Sequence, residues 1–215
     1  MKENKIKHLS LAEEVYHRLL DQIVKGKLAE GSKLTEEKIC ADLGVSRTPA
    51  REALMLLFRD KLIERIPRRG CFVRNFDHEE IKELFECRKM LECLALDKAF
   101  EHLPEQDLEK LKHKLEKAST NKKKSLLLDE KMHELFICNC PNRHLRDIVR
   151  QTIKRTQPLR SLRTFDANDS GSINNERLEI VNALLEKDKE KAINLLGSHI
   201  CKGSAIIEEK EKMRK

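Results

Sequence analysis

The stretch Gly44–Leu54, with the sequence GVSRTPAREAL, limits the fold of this chain more than any other part. The apolar residues before it recur at helical spacing, and Gly44 is a residue type that ends helices. Ser46 can cap a new helix only two residues later, and Pro49 is tolerated in a first helical turn. Two helices joined by so short a glycine turn predict a helix-turn-helix.

The flanking segments predict a winged form of this motif. Apolar residues at helical spacing predict a first helix over residues 9–26. After the helix-turn-helix come two short runs of β-forming residues, and the tip Arg68-Arg69-Gly70 between them suits a hairpin turn. We therefore expect residues 1–76 to form a winged helix-turn-helix domain with three helices and a two-stranded wing.

From Asp77 onward the pattern becomes helical only. Asp77 with Glu80 resembles a capping box, and apolar periodicity continues through several further helices. The chain has only 7 Gly and 5 Pro, which also favours helices. One loop is predicted over residues 166–172. We expect residues 77–215 to form an all-α helical bundle domain, so that the whole chain is mainly α.

The positive charge is concentrated in the first part of the chain. Residues 1–76 carry 16 Lys and Arg against 11 Asp and Glu, whereas the remainder carries 28 against 26. Residues 61–74 include five of these cations and the single acid Glu64. Such a local patch is typical of a protein that binds a polyanion. A surface tuned for solubility remains the alternative.

The two arginines at the start of the second helix of this motif are unusual, because the positive end of a helix favours acidic side chains. Arg47 and Arg51 lie one turn apart on one face, with Thr48 beside them. Arginine suits bidentate contacts with guanine, and the first turns of a recognition helix reach base edges. The pattern therefore indicates DNA binding. The alternative is that these arginines pair with surface acids, Glu52 or Asp42.

These residues resemble the DNA-binding domain of the GntR family of bacterial transcription regulators. The family signature Gly-Val-Ser-Arg-x-Pro-x-Arg-Glu-Ala-Leu stands at residues 44–54, and the likeness covers about residues 9–76. Some members carry a DNA-contacting arginine near the start of the preceding helix, where this chain has Glu36-Glu37-Lys38. The resemblance implies a double-stranded operator as partner and DNA contacts by Ser46, Arg47, Thr48 and Arg51, with wing contacts near Arg69 and Gly70.

The helical half is similar to the FCD effector-binding domain of the FadR-type subgroup. Residues 83–96 resemble its first helix, residues 129–136 contain its Asp-x-x-x-His motif, and residues 175–200 resemble its last two helices. The resemblance implies a pocket for a small anionic effector. The effector-binding residues expected here are Arg88, Asp129, His133, Arg177 and His199.

Many FCD domains hold a metal with one Asp and three His. Asp129, His133 and His199 match three of these positions, and Arg177 stands at the fourth. Since a guanidinium is always charged and has no lone pair to donate, we expect no metal and an Arg177–Asp129 pair that leaves donors for a carboxylate. Arg88 is expected to be a second anchor. Two alternatives stay open: zinc or nickel on the three matching ligands, and a structural Arg177–Asp129 pair without any ligand.

Together these features predict a cytoplasmic, homodimeric transcription regulator, more often a repressor in this family, on a palindromic operator. Seven scattered cysteines without a CxxC pair indicate a reducing compartment, and no apolar run suggests membrane association. Two other functions are weighed against this one. The first is a metal-dependent enzyme built on Asp129, His133 and His199, and the second is an architectural DNA binder without sequence preference.

Overall fold

The computed structural model describes residues 9–117, 122–157, 159 and 167–214. Over these residues the chain is mainly helical, with one small antiparallel sheet. It divides into two compact units: the first runs to Phe76 and also includes Gln157 and Leu159, and the second begins at Asp77. The predicted fold class is confirmed.

Between residues 9 and 76 the first unit contains three helices and three short strands. Its helices are α1 (Leu11–Val24), α2 (Glu36–Leu43) and α3 (Arg47–Arg59), and its strands are β1 (Lys33–Leu34), β2 (Ile63–Ile66) and β3 (Gly70–Val73). The β2–β3 hairpin is the predicted wing, with Ile63 opposite Val73. The sequence did not predict β1, which pairs with β3 through Lys33 and Phe72.

The turn between α2 and α3 has the predicted local chemistry. The Thr35 hydroxyl accepts a hydrogen bond from the backbone N–H of Lys38 at 3.2 Å and so caps α2. Gly44 ends α2 at φ +67°, a left-handed conformation that glycine adopts without strain. Ser46 is the N-cap residue of α3, but its hydroxyl makes no capping hydrogen bond. That hydroxyl therefore remains available at the exposed start of α3.

One face of α3 is fixed against the core of the first unit. Ala50, Ala53 and Leu57 are fully buried there and α3 packs mainly against α1. The Tyr16 hydroxyl of α1 donates a hydrogen bond to Asp60 Oδ2 at 2.7 Å, just beyond the end of α3. Burial at helical spacing thus holds α3 in one orientation and leaves its opposite face outward.

The second unit is helical throughout its described part. It contains α4 (His78–Ala99), a 3₁₀ turn (Phe100–His102), α5 (Glu105–Glu116), α6 (Lys122–Asn139), α7 (Arg143–Thr156), α8 (Ala167–Leu185) and α9 (Lys189–Arg214). As predicted, Asp77 caps α4 by accepting a hydrogen bond from the backbone N–H of Glu80 at 2.9 Å. Helix α4 packs against α6, α7 and α9, while α8 packs against α5, α6 and α9. No helix in the described ranges is both long and apolar enough to cross a membrane.

The loop predicted over residues 166–172 is wrong from Ala167 onward, because α8 already begins there. Residue 166 lies outside the described residues. The prediction relied on Asn, Asp, Ser and Gly, which are poor helix formers but cost at most about 1 kcal/mol each. Extending an existing helix is much easier than starting one, and the packed residues from Ile173 onward supply that helix.

Candidate functional site

The first turns of α3 present a polar surface to solvent, which we call the recognition face. Pro49 and Ala50 point into the core, whereas the side chains of the recognition face are exposed. An exposed helix start with cationic side chains attracts anions, since its unpaired N–H groups also carry positive charge. The recognition face consists of Ser46, Arg47, Thr48 and Arg51.

The wing adds two further exposed cations to the same unit. Arg68 takes a positive φ of 63° at the tip, and Gly70 follows at φ 109°. The guanidinium of Arg69 lies 5.6 Å from the centre of the Phe72 ring, a cation–π contact. Arg69 and Gly70 thus lie at the tip of the wing, and their role in DNA binding remains a prediction.

Arg51 is held by an acid that the sequence analysis did not consider. Its Nε donates to Glu36 Oε1 at 2.7 Å, and its Nη2 donates to Glu36 Oε2 at 2.9 Å. These hydrogen bonds hold the pKa of Glu36 below its usual value. The alternative that Arg51 pairs with a surface acid is therefore confirmed in kind but not in partner, because α2 brings Glu36 to the guanidinium instead of Glu52 or Asp42. Within the described residues Arg47 makes no ion pair.

The five residues predicted for effector binding come together in the core of the second unit. They extend from four helices, α4, α6, α8 and α9, and each is at most 3% exposed. Buried ionisable groups are costly unless they are paired or hydrogen-bonded. The contacts among them therefore determine what the site can do. We call these five residues the polar centre: Arg88, Asp129, His133, Arg177 and His199. Their side-chain partners include Glu92, Ser125, Asn174 and Glu176.

Arg177 is the most extensively bonded member of the polar centre. Its Nε donates to Asp129 Oδ1 at 3.1 Å, so the expected pair is present. Its Nη1 donates to Ser125 Oγ at 2.8 Å, to the Ser125 carbonyl at 3.1 Å and to Asn174 Oδ1 at 2.9 Å. The sequence did not predict the contacts of Ser125 and Asn174. Their spacing was the available signal, because Ser125 precedes Asp129 by one turn and Asn174 precedes Arg177 by one turn.

One carboxylate oxygen, Asp129 Oδ1, is shared by the arginine and both imidazoles. His199 Nε2 lies 3.0 Å from it and His133 Nε2 lies 3.7 Å from it. The other ring nitrogen of His199, Nδ1, lies 3.1 Å from Glu176 Oε2. Glu176 in turn accepts a hydrogen bond from Lys202 Nζ at 2.8 Å. The imidazoles are therefore oriented by carboxylates on both sides.

Arg88 and His133 share a second carboxylate, that of Glu92. Arg88 Nε donates to Glu92 Oε1, and His133 Nδ1 contacts Glu92 Oε2. Burial alone would raise the pKa of Glu92, but Arg88 and His133 outweigh it and lower the pKa to about 2. Burial would lower the pKa of His133, but the carboxylates of Glu92 and Asp129 raise it. Arg88 thus faces the carboxylate of Glu92, and Arg177 faces that of Asp129.

Three members of the polar centre form a possible metal-binding group. Ligand atoms of Asp129, His133 and His199 lie within 4.8 Å of one another, and this donor set suits zinc in residue type. However, Arg177 Nη2 lies 3.1 Å from Asp129 Oδ1, and Arg88 Nη2 lies 3.4 Å from His133 Nε2. A divalent cation on these atoms would face two permanent charges in a buried site, where repulsion is strong. With both arginines in place, these residues do not fit a divalent metal.

Comparison with protein families identifies both units. Residues 11–73 match the family described as bacterial regulatory proteins, gntR family. Residues 83–201 match the FCD domain. The chain belongs to the GntR family of bacterial regulatory proteins. The resemblance found in the sequence is confirmed for both parts of this GntR regulator, including the FCD domain.

Two curated relatives are similar to this GntR regulator over different lengths. The HTH-type transcriptional regulator YdhC of Bacillus subtilis is 27% identical over 185 residues, which cover 83% of each protein. The gluconate operon transcriptional repressor of Bacillus subtilis is 37% identical over 103 residues, which cover 48% of this chain and 40% of that repressor. Both relatives are named as transcription regulators.

Solved structures agree with the fold. The Escherichia coli regulator McbR/YncC matches with a TM-score of 0.82 at 23% identity, covering 95% of this chain and all of that one. The FCD domain of TM0439 matches in a metal-free form, with a TM-score of 0.59 and 23% identity over 65% of this chain and 99% of that chain. The zinc-bound form of the same domain matches with a TM-score of 0.56 at 23% identity. The match covers 63% of this chain and 96% of that one. FCD-type folds are therefore known both with and without zinc.

Proposed function

We propose that this GntR regulator binds one preferred operator sequence as a homodimer in the cytoplasm and represses transcription from it. The observation that carries the proposal is the recognition face, which exposes two arginines, a serine and a threonine at the start of a well-anchored helix. Such a helix start reaches base edges in helix-turn-helix proteins. Two copies related by two-fold symmetry would read the two halves of a palindrome.

The test is a selection of DNA duplexes from a randomised library by the full-length protein at a fixed salt concentration. Affinities for the selected duplex and for a scrambled version are then compared by fluorescence anisotropy. We expect a palindromic sequence bound about a thousandfold or more tightly than scrambled DNA. Equal affinities with the same steep salt dependence would instead support an architectural binder.

Arg51→Ala tests whether the recognition face reads bases directly. We expect a loss of about 1–3 kcal/mol in binding free energy on the selected duplex, with a much smaller loss on scrambled DNA. Arg18→Ala is the charge-matched control, since Arg18 is an exposed arginine of α1. It should weaken binding to both duplexes slightly and equally. An equal loss on both duplexes for Arg51→Ala would contradict base readout.

We further propose that the second unit binds a small carboxylate-type effector at the polar centre. Arg177 Nη2 is buried, and although it lies 3.1 Å from Asp129 Oδ1 it makes no hydrogen bond within the described part of the chain. A carboxylate is the natural partner for such a donor, and Arg88, whose Nη2 lies 3.4 Å from His133 Nε2, is the second anchor. An effector bound here would change DNA affinity, and DNA would change effector affinity by the same factor.

We also propose that the polar centre works without a metal, because Arg177 supplies the positive charge. Its guanidinium contacts the Asp129 oxygen that both imidazoles face. The same contacts disfavour the metal-dependent enzyme that the sequence left open. His133 and His199 are each 3% or less exposed, and their ring nitrogens face carboxylates of the protein itself. Both imidazoles are then engaged by carboxylates of the protein rather than free to act as a base in catalysis.

A further inference from the structure

We propose that Glu36 is a positioning residue for DNA recognition, which orients the Arg51 guanidinium so that its outer edge meets a base. The inference rests on the proposed function, because it concerns how the recognition face distinguishes one sequence from another.

The Arg51–Glu36 pair occupies only one edge of the guanidinium. The bonds from Nε and Nη2, at 2.7 and 2.9 Å, use two of its five N–H donors. The remaining edge carries both hydrogens of Nη1 and the second hydrogen of Nη2. That edge is itself a two-pronged donor, the arrangement that pairs with O6 and N7 of guanine. Glu36 therefore fixes the arginine without using the donors needed for base recognition.

The two side chains differ in how firmly the protein holds them. The Glu36 side chain is 25% exposed and belongs to the first residue of α2, next to the capping residue Thr35. The Arg51 side chain is 64% exposed. A long exposed side chain samples many rotamers, and holding it in one orientation before binding removes an entropy cost from recognition. Glu36 provides that hold from the neighbouring helix.

Stability alone does not account for this pair. Ion pairs between exposed side chains contribute little to folding, since water and salt screen them. A carboxylate beside two DNA-facing arginines also repels the phosphate backbone, so its simple electrostatic effect is to weaken binding to every sequence. If Glu36 acts only through charge, removing that charge strengthens binding to all DNA equally. If Glu36 positions Arg51, removing it lowers discrimination between sequences.

The experiment compares Glu36→Gln with Glu37→Gln in the full-length protein. Both substitutions remove one negative charge from the first turn of α2, but Glu37 is exposed and pairs with no residue in the described ranges. Glutamine at position 36 keeps the size of the side chain but offers only one acceptor oxygen, so the two-bond contact is lost. Affinities are measured on the duplex selected by the unmodified protein and on its scrambled version.

We expect Glu36→Gln to lower the ratio of the two affinities about tenfold, while affinity for scrambled DNA stays equal or rises. Glu37→Gln should leave the ratio unchanged. In an Arg51→Ala background, Glu36→Gln should lower the ratio no further, because its effect passes through Arg51. Thermal unfolding of each variant shows whether a change in binding reflects lost folding.

An unchanged ratio for correctly folded Glu36→Gln would overturn the inference, while the proposed function would stand on the preference of the unmodified protein. A tenfold fall that persists in the Arg51→Ala background would overturn it too, because Glu36 would then act by another route. If the unmodified protein selects no preferred sequence, the proposed function itself fails and the inference fails with it.

Discussion

Arg177→Met is expected to destabilise the second unit by about 3–5 kcal/mol, the cost typical of leaving a buried charge without its partner. Asp129 is 1% exposed and would lose the guanidinium that lies 3.1 Å from its Oδ1. Methionine also leaves the Ser125 carbonyl without the donor that Arg177 supplies. The measurement is urea unfolding of the full-length protein, followed by circular dichroism, with each transition assigned to its unit by limited proteolysis.

Arg150→Met is the matched control for the loss of an arginine from an ion pair. Arg150 pairs with Glu134 at 2.7 Å, but the two side chains are 40% and 51% exposed. Exposed pairs contribute about 0–1 kcal/mol, so this variant should unfold almost as the unmodified protein does. Adding Asp129→Asn to Arg177→Met should recover part of the lost stability, since it removes the uncompensated charge. If Arg177→Met loses no more stability than Arg150→Met, Arg177 is not the charge that stabilises the polar centre.

Arg177→His is expected to create a zinc site that the unmodified protein lacks. The substitution removes the guanidinium and adds an imidazole nitrogen to the ligand atoms of Asp129, His133 and His199. The four ligands then form a nitrogen and oxygen set of the kind that binds zinc tetrahedrally. Free zinc at a thousand times its dissociation constant should stabilise this variant by about 4 kcal/mol. Thermal unfolding with zinc and then with a chelator measures the effect, which the chelator should reverse.

Two comparisons make this result interpretable. Arg177→Met removes the guanidinium without adding a ligand, so its response to zinc should be smaller. The unmodified protein should not respond at all. Equal stabilisation of the unmodified protein and of Arg177→His would show that Arg177 does not exclude the metal, and the account of the polar centre would be wrong.

The recognition face could be predicted from the sequence because its determinants are local. Thr35 caps α2, Gly44 takes the left-handed conformation and the apolar face of α3 is buried as its spacing requires. Each of these features depends on residues only a few positions apart. The Arg51–Glu36 pair was missed because its partners are 15 positions apart and meet only through the packing of α2 against α3.

The five residues of the polar centre were predicted from the sequence, but most contacts that they make were not. The spacing of Asp129 and His133 places both on one face of α6, and the family resemblance brought in Arg88, Arg177 and His199. No sequence pattern showed that Glu92 would contact His133 or that Glu176 would orient His199. Such contacts depend on how helices cross, which single-helix periodicity does not specify. The loop predicted before Ile173 failed for the opposite reason, because local propensity was given more weight than helix extension.

The claim on which the account of the second unit depends is that Arg177 takes the place of a metal. Native mass spectrometry of the full-length protein, purified without added metal or chelator, tests it most directly. The account predicts a dimer without any transition metal, alone or with a small organic anion bound. A dimer carrying one zinc or nickel ion per chain would contradict it, and would mean that Asp129, His133 and His199 hold a metal despite Arg177.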